Sequence, residues 1–360
     1  MRALVEASRP KRDRHLRAFA VTILDERLAQ LAGAVDAAGL RLLSCEEPYQ
    51  GLYEMLRYHL GWQQSAGSGS PGKRLRPAIC LLVAEAVGGD WRPALPAATA
   101  VELVHNFSLI HDDIQDRSPL RRHRPTVWAR WGVAQGINAG DALLIIAFRT
   151  LVETEPRLPV EVALGAFGHL CNACRALCEG QYLDLLWEGQ ATVLVDQYLE
   201  MIERKTARLF RTAAELGAYC AGTSDDVHGA WAAYGTALGV GFQAADDLLG
   251  VWGPEAATGK TADLDVAARK KTLPIVLGLA APASAESDRL RELFGLGRPL
   301  SREETMEATT LLTALGAREA TAEIVRQYEA DALRSLEELA SACDVTVLRA
   351  LTETMLPEMR

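Results

Sequence analysis

Residues 95–116 read LPAATAVELVHNFSLIHDDIQD. Apolar side chains recur every three or four positions from Leu95 to Ile110, and no stretch alternates with the two-residue period of a strand. Pro93 and Pro96 fall where a first helical turn tolerates proline. The spacing predicts one long helix that opens near these prolines and runs through Asp116. The rest of the chain reads the same way, with Ala and Leu at helical spacing and alternating Val, Ile and Thr almost absent. Helices of roughly 15–30 residues are expected between Gly, Pro and Ser clusters, which lie at 66–71, 88–96, 118–125, 253–259 and 281–287. There is no repeat of fixed period and no linker long enough to divide domains. The expected architecture is therefore all-α: a single domain over residues 1–360, a bundle of long helices whose first 70 residues carry no chemical signal.

Composition narrows the class further. Of 360 residues, 49% are hydrophobic and 24% charged, the balance of a globular chain, which excludes disorder, collagen and low complexity. The longest apolar candidate, residues 142–148, falls far short of the roughly 18–20 needed to span a bilayer. Against 47 acidic side chains stand 38 basic ones, a net charge of −9 that argues against general nucleic-acid binding but not against a local basic pocket. Seven cysteines, an odd number, suit reduced thiols and a cytoplasmic setting. The basic N-terminal stretch (Arg9, Lys11, Arg12, Arg14, Arg17) lacks a following apolar run, so no secretory signal is expected, and Glu6 and Asp13 weigh against a transit peptide.

Chemistry concentrates at the end of the long helix, in His111-Asp112-Asp113-Ile114-Gln115-Asp116. At about 100° per residue, Asp113 lies about 100° from Asp112 and Asp116 about 40°, so three carboxylates share one arc. A solvated last turn is the bland explanation, but acidic groups there oppose the helix dipole and repel one another unless a cation joins them. Mg²⁺ takes carboxylate oxygens and keeps water positions for phosphate oxygens. A second pair, Asp246-Asp247, follows the apolar stretch 235–245. With the first cluster it suggests two carboxylate walls around several ions. Basic groups gather at Gly72-Lys73-Arg74-Leu75-Arg76-Pro77, at Arg121-Arg122-His123-Arg124, at Lys205 and Lys260, and at Arg269-Lys270-Lys271. Singly, each is an ordinary solvated cluster; beside metal carboxylates they fit a substrate bearing phosphates. His105 precedes Asp112 by seven residues and faces within about 20° of it. Gly67-Ser68-Gly69-Ser70-Pro71-Gly72 matches a dinucleotide fingerprint in letters only, because no strand precedes it. Cys171, Cys174 and Cys178 form one helical stripe, read as small apolar packing.

Together these residues resemble the trans-isoprenyl diphosphate synthases over roughly residues 72–274. Asp112-Asp113-Ile114-Gln115-Asp116 is similar to that family's first aspartate-rich motif, DDxxD, and Arg121-Arg122 to the arginine pair that follows it. Gly72-Lys73-x-x-Arg76-Pro77 and His105 resemble the isopentenyl diphosphate clamp; Lys205-Thr206, Phe242-Gln243, Asp246-Asp247 and Lys260 match later stations. The resemblance implies long helices around a deep cavity, a homodimer, and three Mg²⁺ ions held by Asp112, Asp116 and Asp246, with Asp113, Asp247 and Asp265 behind them. It also implies an allylic diphosphate on Arg121, Lys205 and Lys260, with Lys270 as the second lysine of the lid loop, one residue from Arg269. Isopentenyl diphosphate would lie on Gly72, Lys73, Arg76, His105 and Arg122, with Phe242 against its hydrocarbon. Thr206 and Gln243 would face the carbocation. Two departures stand out: Gly250 replaces a third aspartate of the second motif, and Pro71 replaces a glycine.

Phe107 and Ser108, five and four residues before Asp112, resemble the short-chain pattern of geranylgeranyl diphosphate synthases. The resemblance favours a C20 product, then C15. On the helical wheel Phe107 lies about 140° from Asp112, which leaves it as cavity floor or as packing. A class I terpene cyclase shares the ionisation chemistry but has no use for the clamp, and a non-catalytic subunit of a heteromeric synthase is suggested only by Gly250.

Overall fold

The computed structural model describes residues 11–44, 47–62, 72–190, 192–223, 225–253 and 264–356. Its contacts group into two compact units. The first takes residues up to Phe167, Ala213–His228 and Leu336–Thr354; the second takes Gly168–Thr212, Gly229–Ser335 and the residues from Met355.

The first unit is built on α1 (Lys11–Leu42), α2 (Gln50–Leu60), α3 (Leu75–Gly88) and α4 (Leu95–Gln115), followed by α5 (Val127–Trp131) and α6 (Val133–Glu153). The quoted stretch is α4: a short 3₁₀ turn over Arg92–Ala94 leads into it, Pro96 stands in its first turn, and Asp116 caps it. Apolar on nearly all sides, α4 is buried on nearly all sides, the behaviour of a central helix. Leu103, Val104 and Ile110 are almost wholly covered, each burial stabilising the unit by about 1.5–3 kcal/mol. Small residues let α6 lie close along α4: a Cβ on Gly140 would strike the His111 ring, and one on Gly136 would come 2.8 Å from Ile114 Cδ1.

Where the sequence shows only a break at 118–125, the chain folds into a two-stranded hairpin, β1 (Leu120–Arg121) with β2 (Arg124–Pro125). Arg122 and His123 make its two-residue turn, both left-handed at φ 51° and 61°. Asn-Gly ordinarily marks such a turn, so Arg-His gave no warning. Each bulky residue held there costs roughly 1–2 kcal/mol. The Tyr58 hydroxyl donates to the Pro125 carbonyl (2.8 Å), and the Arg124 guanidinium lies 4.1 Å over the Tyr58 ring.

The second unit takes most of α7 (Val160–Glu188), then α8 (Val195–Ile202), a π-helical stretch Glu203–Ala207, and the start of α9 (Arg208–Cys220). It continues with most of α10 (Asp225–Trp252), then α11 (Leu264–Ala267), α12 (Leu273–Leu279), α13 (Ala285–Gly295), α14 (Arg302–Ala314) and most of α15 (Ala317–Leu339). A compact core joins Val251, Val266, Ile275, Leu290, Leu293 and Leu312. Ser284 and Ser301 cap α13 and α14 by accepting from the backbone N–H three residues on. α16 (Thr346–Met355) ends the described chain. All five crossings between units fall inside helices (α7, α9, α10, α15 and α16), and none falls in a linker. Among the described residues no helix is long and apolar enough to cross a membrane.

Candidate active site

At the end of α4 the three aspartates part company. Asp113 is buried and gripped by Arg121 of β1: Nε donates to Oδ1 (2.9 Å) and Oδ2 (3.1 Å), and Nη2 lies 2.9 Å from Oδ1. Burial pushes the Asp113 carboxyl above its usual range against the pull of Arg121. Asp112 stays half-buried and Asp116 exposed. Four residues apart, they stand on one side of the last turn, where a hydrated cation has access. Mg²⁺ takes one or two carboxylates and completes its shell with water and substrate phosphate oxygens, so this pair fits it. Among the described residues no three His, Cys, Asp or Glu side chains form a ready-made metal cage.

The basic stations of the first unit also meet. Arg76 Nη1 lies 3.3 Å from His105 Nε2. Burial and the charges of Arg76, Arg121 and Arg122 hold the His105 imidazole well below its ordinary pKa, hence neutral. A guanidinium only donates, so this contact requires Nε2 to accept. Arg122 lies on Gly72, where a Cβ would come 2.5 Å from Nη2; glycine makes room for the guanidinium. Lys73 is exposed. Asp113, Arg121, Arg122 and His59 line one narrow recess of about 30 Å³. Phe107 is buried edge-on against His111 at 5.7 Å, and the Ser108 hydroxyl donates to the His105 carbonyl (2.8 Å).

In the second unit Lys205 and Thr206 lie in the π-helical stretch, an irregularity often found at functional sites. Lys205 Nζ pairs with Asp184 Oδ2 at 2.5 Å. The Thr206 hydroxyl donates to Gln243 Oε1 (2.9 Å), so the two groups expected beside the carbocation do come together. Gln243 Nε2 donates to Asp247 Oδ1 (2.9 Å). Asp247 also accepts from the Tyr198 hydroxyl (2.5 Å) and the Leu273 N–H (3.0 Å), both on Oδ2. Burial pushes the Asp247 carboxyl up to about 7 while its three donors pull the other way. Asp246, next in the motif, is exposed. Phe242 packs against Phe210 at 5.4 Å. At Gly250 a Cβ would lie 3.4 Å from Asp265 Oδ2, so a carboxylate stands beside the position where the motif lacks one. Arg269 donates to the Phe294 carbonyl (3.0 Å), and Lys270, the next residue, is half-buried. Lys260 lies outside the described residues.

Some expectations shift. The cysteine stripe packs only in part: Cys171 and Cys174 are half-buried and Cys178 exposed, while α7 buries Leu170, Ala173 and Leu177 beside them. Arg74, read only as one charge of a basic run, is a buried anchor bonded to Glu102, Asp36 and the Leu60 carbonyl. Asp184, Tyr198 and His59 were not singled out at all. Their partners are distant in the chain, and only a helical pattern placing Asp184 beside the Lys205 turn would have hinted at one of them.

Taken unit by unit, the helices bring basic side chains together in the first unit, beside the turn that carries Asp112 and Asp116, and join Thr206, Gln243, Asp247 and Tyr198 in the second. A family profile described as polyprenyl synthetase matches residues 63–312. A geranylgeranyl diphosphate synthase of Methanosarcina mazei is 39% identical over 336 residues, 93% of this chain and 98% of its own. A (2E,6E)-farnesyl diphosphate synthase of Mycobacterium tuberculosis is 45% identical over 234 residues, 64% of each chain. Among solved structures, a polyprenyl synthetase of Streptomyces coelicolor A3(2) superposes with TM-score 0.82 at 36% identity, covering 93% of this chain and 99% of that one. A geranylgeranyl pyrophosphate synthase of Corynebacterium glutamicum, complexed with isoprenyl diphosphate and magnesium, gives 0.77 at 28%, covering 94% and 98%. The chain belongs to the polyprenyl synthetase family. It is a prenyltransferase of the short-chain trans-prenyl diphosphate synthase type.

Proposed function

We propose that this chain condenses isopentenyl diphosphate head to tail with an allylic diphosphate, giving geranylgeranyl diphosphate (C20) in preference to farnesyl diphosphate (C15). The observation that carries the reading is the anion clamp of the first unit. Arg76 meets His105, and Arg122 lies on Gly72, in the same unit as the DDxxD turn. A class I cyclase, which ionises a single diphosphate, has no use for such a clamp.

In this reading Asp112, Asp116 and Asp246 would hold Mg²⁺, three ions per site, and the bound ions would supply countercharge for the departing pyrophosphate. Arg121, Lys205, Lys260 and Lys270 bind the allylic diphosphate. Asp113 orients Arg121, and Asp184 orients Lys205, through the ion pairs described above. Gly72, Lys73, Arg76, His105 and Arg122 bind isopentenyl diphosphate, and Phe242 covers its hydrocarbon. The C1–O bond of the allylic substrate breaks, and the C4 carbon of isopentenyl diphosphate attacks C1. A proton then leaves C2, and pyrophosphate accepts it. The oxygens of Thr206 and Gln243 stabilise the cation by electrostatics. The reading also treats the two units as one catalytic domain, supported by the helices that run from one unit into the other. A homodimer is supported by exposed apolar side chains on α6 (Ile137, Ile145, Val152) and at the start of α7 (Val160, Leu164). A cytoplasmic location fits the free cysteines, six of which are described.

The test is to incubate the purified chain with Mg²⁺, isopentenyl diphosphate and dimethylallyl or geranyl diphosphate, and to separate the products. C20 diphosphate is expected, with Asp112→Asn lowering kcat by about 10²–10³-fold. Cyclised hydrocarbon without isopentenyl incorporation would favour the cyclase, and an inert single chain would favour the non-catalytic subunit.

A further inference from the structure

Asp247 has both carboxylate oxygens occupied, Oδ1 by Gln243 and Oδ2 by Tyr198 and the Leu273 N–H. The residue is buried, unlike its neighbour Asp246. With Asp247 as the carboxylate, which only accepts, each bond in this chain has one allowed polarity. The Leu273 backbone N–H cannot invert, so Oδ2 must accept. Gln243 must offer an N–H to Oδ1, which leaves its Oε1 for the other side. Oε1 only accepts, so Thr206 must commit its single hydroxyl proton to Gln243. What Thr206 then presents elsewhere is lone pairs alone. A carbocation is stabilised by such oxygens and is threatened by hydroxyls and waters free to lose a proton.

We infer that Tyr198 and Asp247 are positioning residues: acting through Gln243, they fix its amide and the Thr206 hydroxyl so that only lone pairs face the reacting carbon. The inference rests on the proposed condensation and deepens it. It takes Asp247 away from the metal and assigns a task to Tyr198, which no motif had marked.

Asp247→Asn is the informative substitution because it keeps shape while breaking polarity. Asparagine can turn one oxygen to Tyr198 and Leu273 only by turning its NH₂ to Gln243, which must then flip. The flipped amide donates to Thr206 and releases the hydroxyl proton toward the site. Tyr198→Phe is milder, since it removes one donor and leaves two. Expected are a fall in kcat of about tenfold for Tyr198→Phe and more for Asp247→Asn, with both KM values within about twofold. The share of substrate diverted to free allylic alcohol should rise about threefold. That product forms when water adds to C1 as the C1–O bond breaks, its proton passing to pyrophosphate. Equal kcat and alcohol share in all three proteins, or KM values that move with kcat, would overturn the inference. A second measurement needs no turnover: the side-chain amide signals of ¹⁵N-labelled glutamine, with Gln243 identified through Gln243→Glu. Slow hydrogen exchange in the wild type and fast exchange in both variants supports the network, and identical exchange refutes it. Absence of any condensation by the wild type would instead defeat the proposed function, while the amide measurement still decides the polar chain.

Discussion

Arg74→Met tests the anchor on which the clamp is built. The Arg74 side chain is 1% exposed and Glu102 4%, and their atoms meet at 2.7 Å. The same guanidinium reaches Asp36 at 2.9 Å and the Leu60 carbonyl at 2.8 Å, and it lies 5.5 Å over the Trp62 ring. Methionine fills much of the volume and inherits the same left-handed backbone, φ 49°, so the perturbation is chiefly the lost charge. Among the described residues Glu102 would then keep one direct hydrogen bond, from the Asn106 amide at 2.7 Å, with the charges of Arg76 and Arg122 farther off. Breaking one side of a buried pair costs about 3–5 kcal/mol. The orphaned Leu60 carbonyl adds about 1 kcal/mol, whereas Asp36, 28% exposed, is rescued by water and adds little. The expected loss is therefore about 4–6 kcal/mol within the first unit. Hydrogen exchange followed by mass spectrometry on peptides of α3 and α4 reads that loss locally, as exchange about 10³-fold faster or more. Removing the stranded charge as well, in Arg74→Met/Glu102→Leu, should recover at least half of it. Because Lys73 and Arg76 flank the anchor, KM for isopentenyl diphosphate should rise in the single variant. A loss below about 1 kcal/mol, or a double variant no better than the single, would refute the claim that Arg74 is held by its charge.

Two further outcomes are expected. Phe107→Ala, with Ser108 kept, should lengthen the products if the ring is the cavity floor; an unchanged product distribution in the condensation assay assigns it to packing against His111. Burial, then Arg121, Arg122 and other guanidiniums, lowers the His59 pKa from 6.5 to about 3, and its buried Nε2 has no hydrogen-bond partner among the described residues. The folded state thus binds fewer protons than the unfolded one between those values, so stability is complete above about pH 6.5 and declines as pH falls. Between pH 6.5 and 5 the loss is roughly 2 kcal/mol. His59→Gln should flatten that part of a urea-denaturation pH series, and parallel curves for the two proteins would contradict it.

Most of the architecture was open to reading along the chain, because a helix is a local object. Periodicity and prolines located α4 to within a residue or two, and the clusters at 88–96 and 281–287 do interrupt helices. The aspartates, the arginine pair and the lysines stood out as candidates too, since each motif is short and its residue types are chemically unusual in apolar surroundings. The hairpin was not, because Arg122-His123 carries no turn chemistry and is held from outside by Tyr58.

What the amino-acid order alone determined is the helical class, the net acidity and the inventory of groups able to meet diphosphates. Tertiary structure decided which of those groups are buried and which stand nearer the surface. Of the adjacent pair Asp112 and Asp113, one is half-open and one is locked to Arg121; of Asp246 and Asp247, one is exposed and one is buried among three donors. The physical reason is that neighbours in a helix point about 100° apart. Identical side chains therefore enter different dielectric surroundings, and packing from distant segments, which no local pattern encodes, assigns each its role.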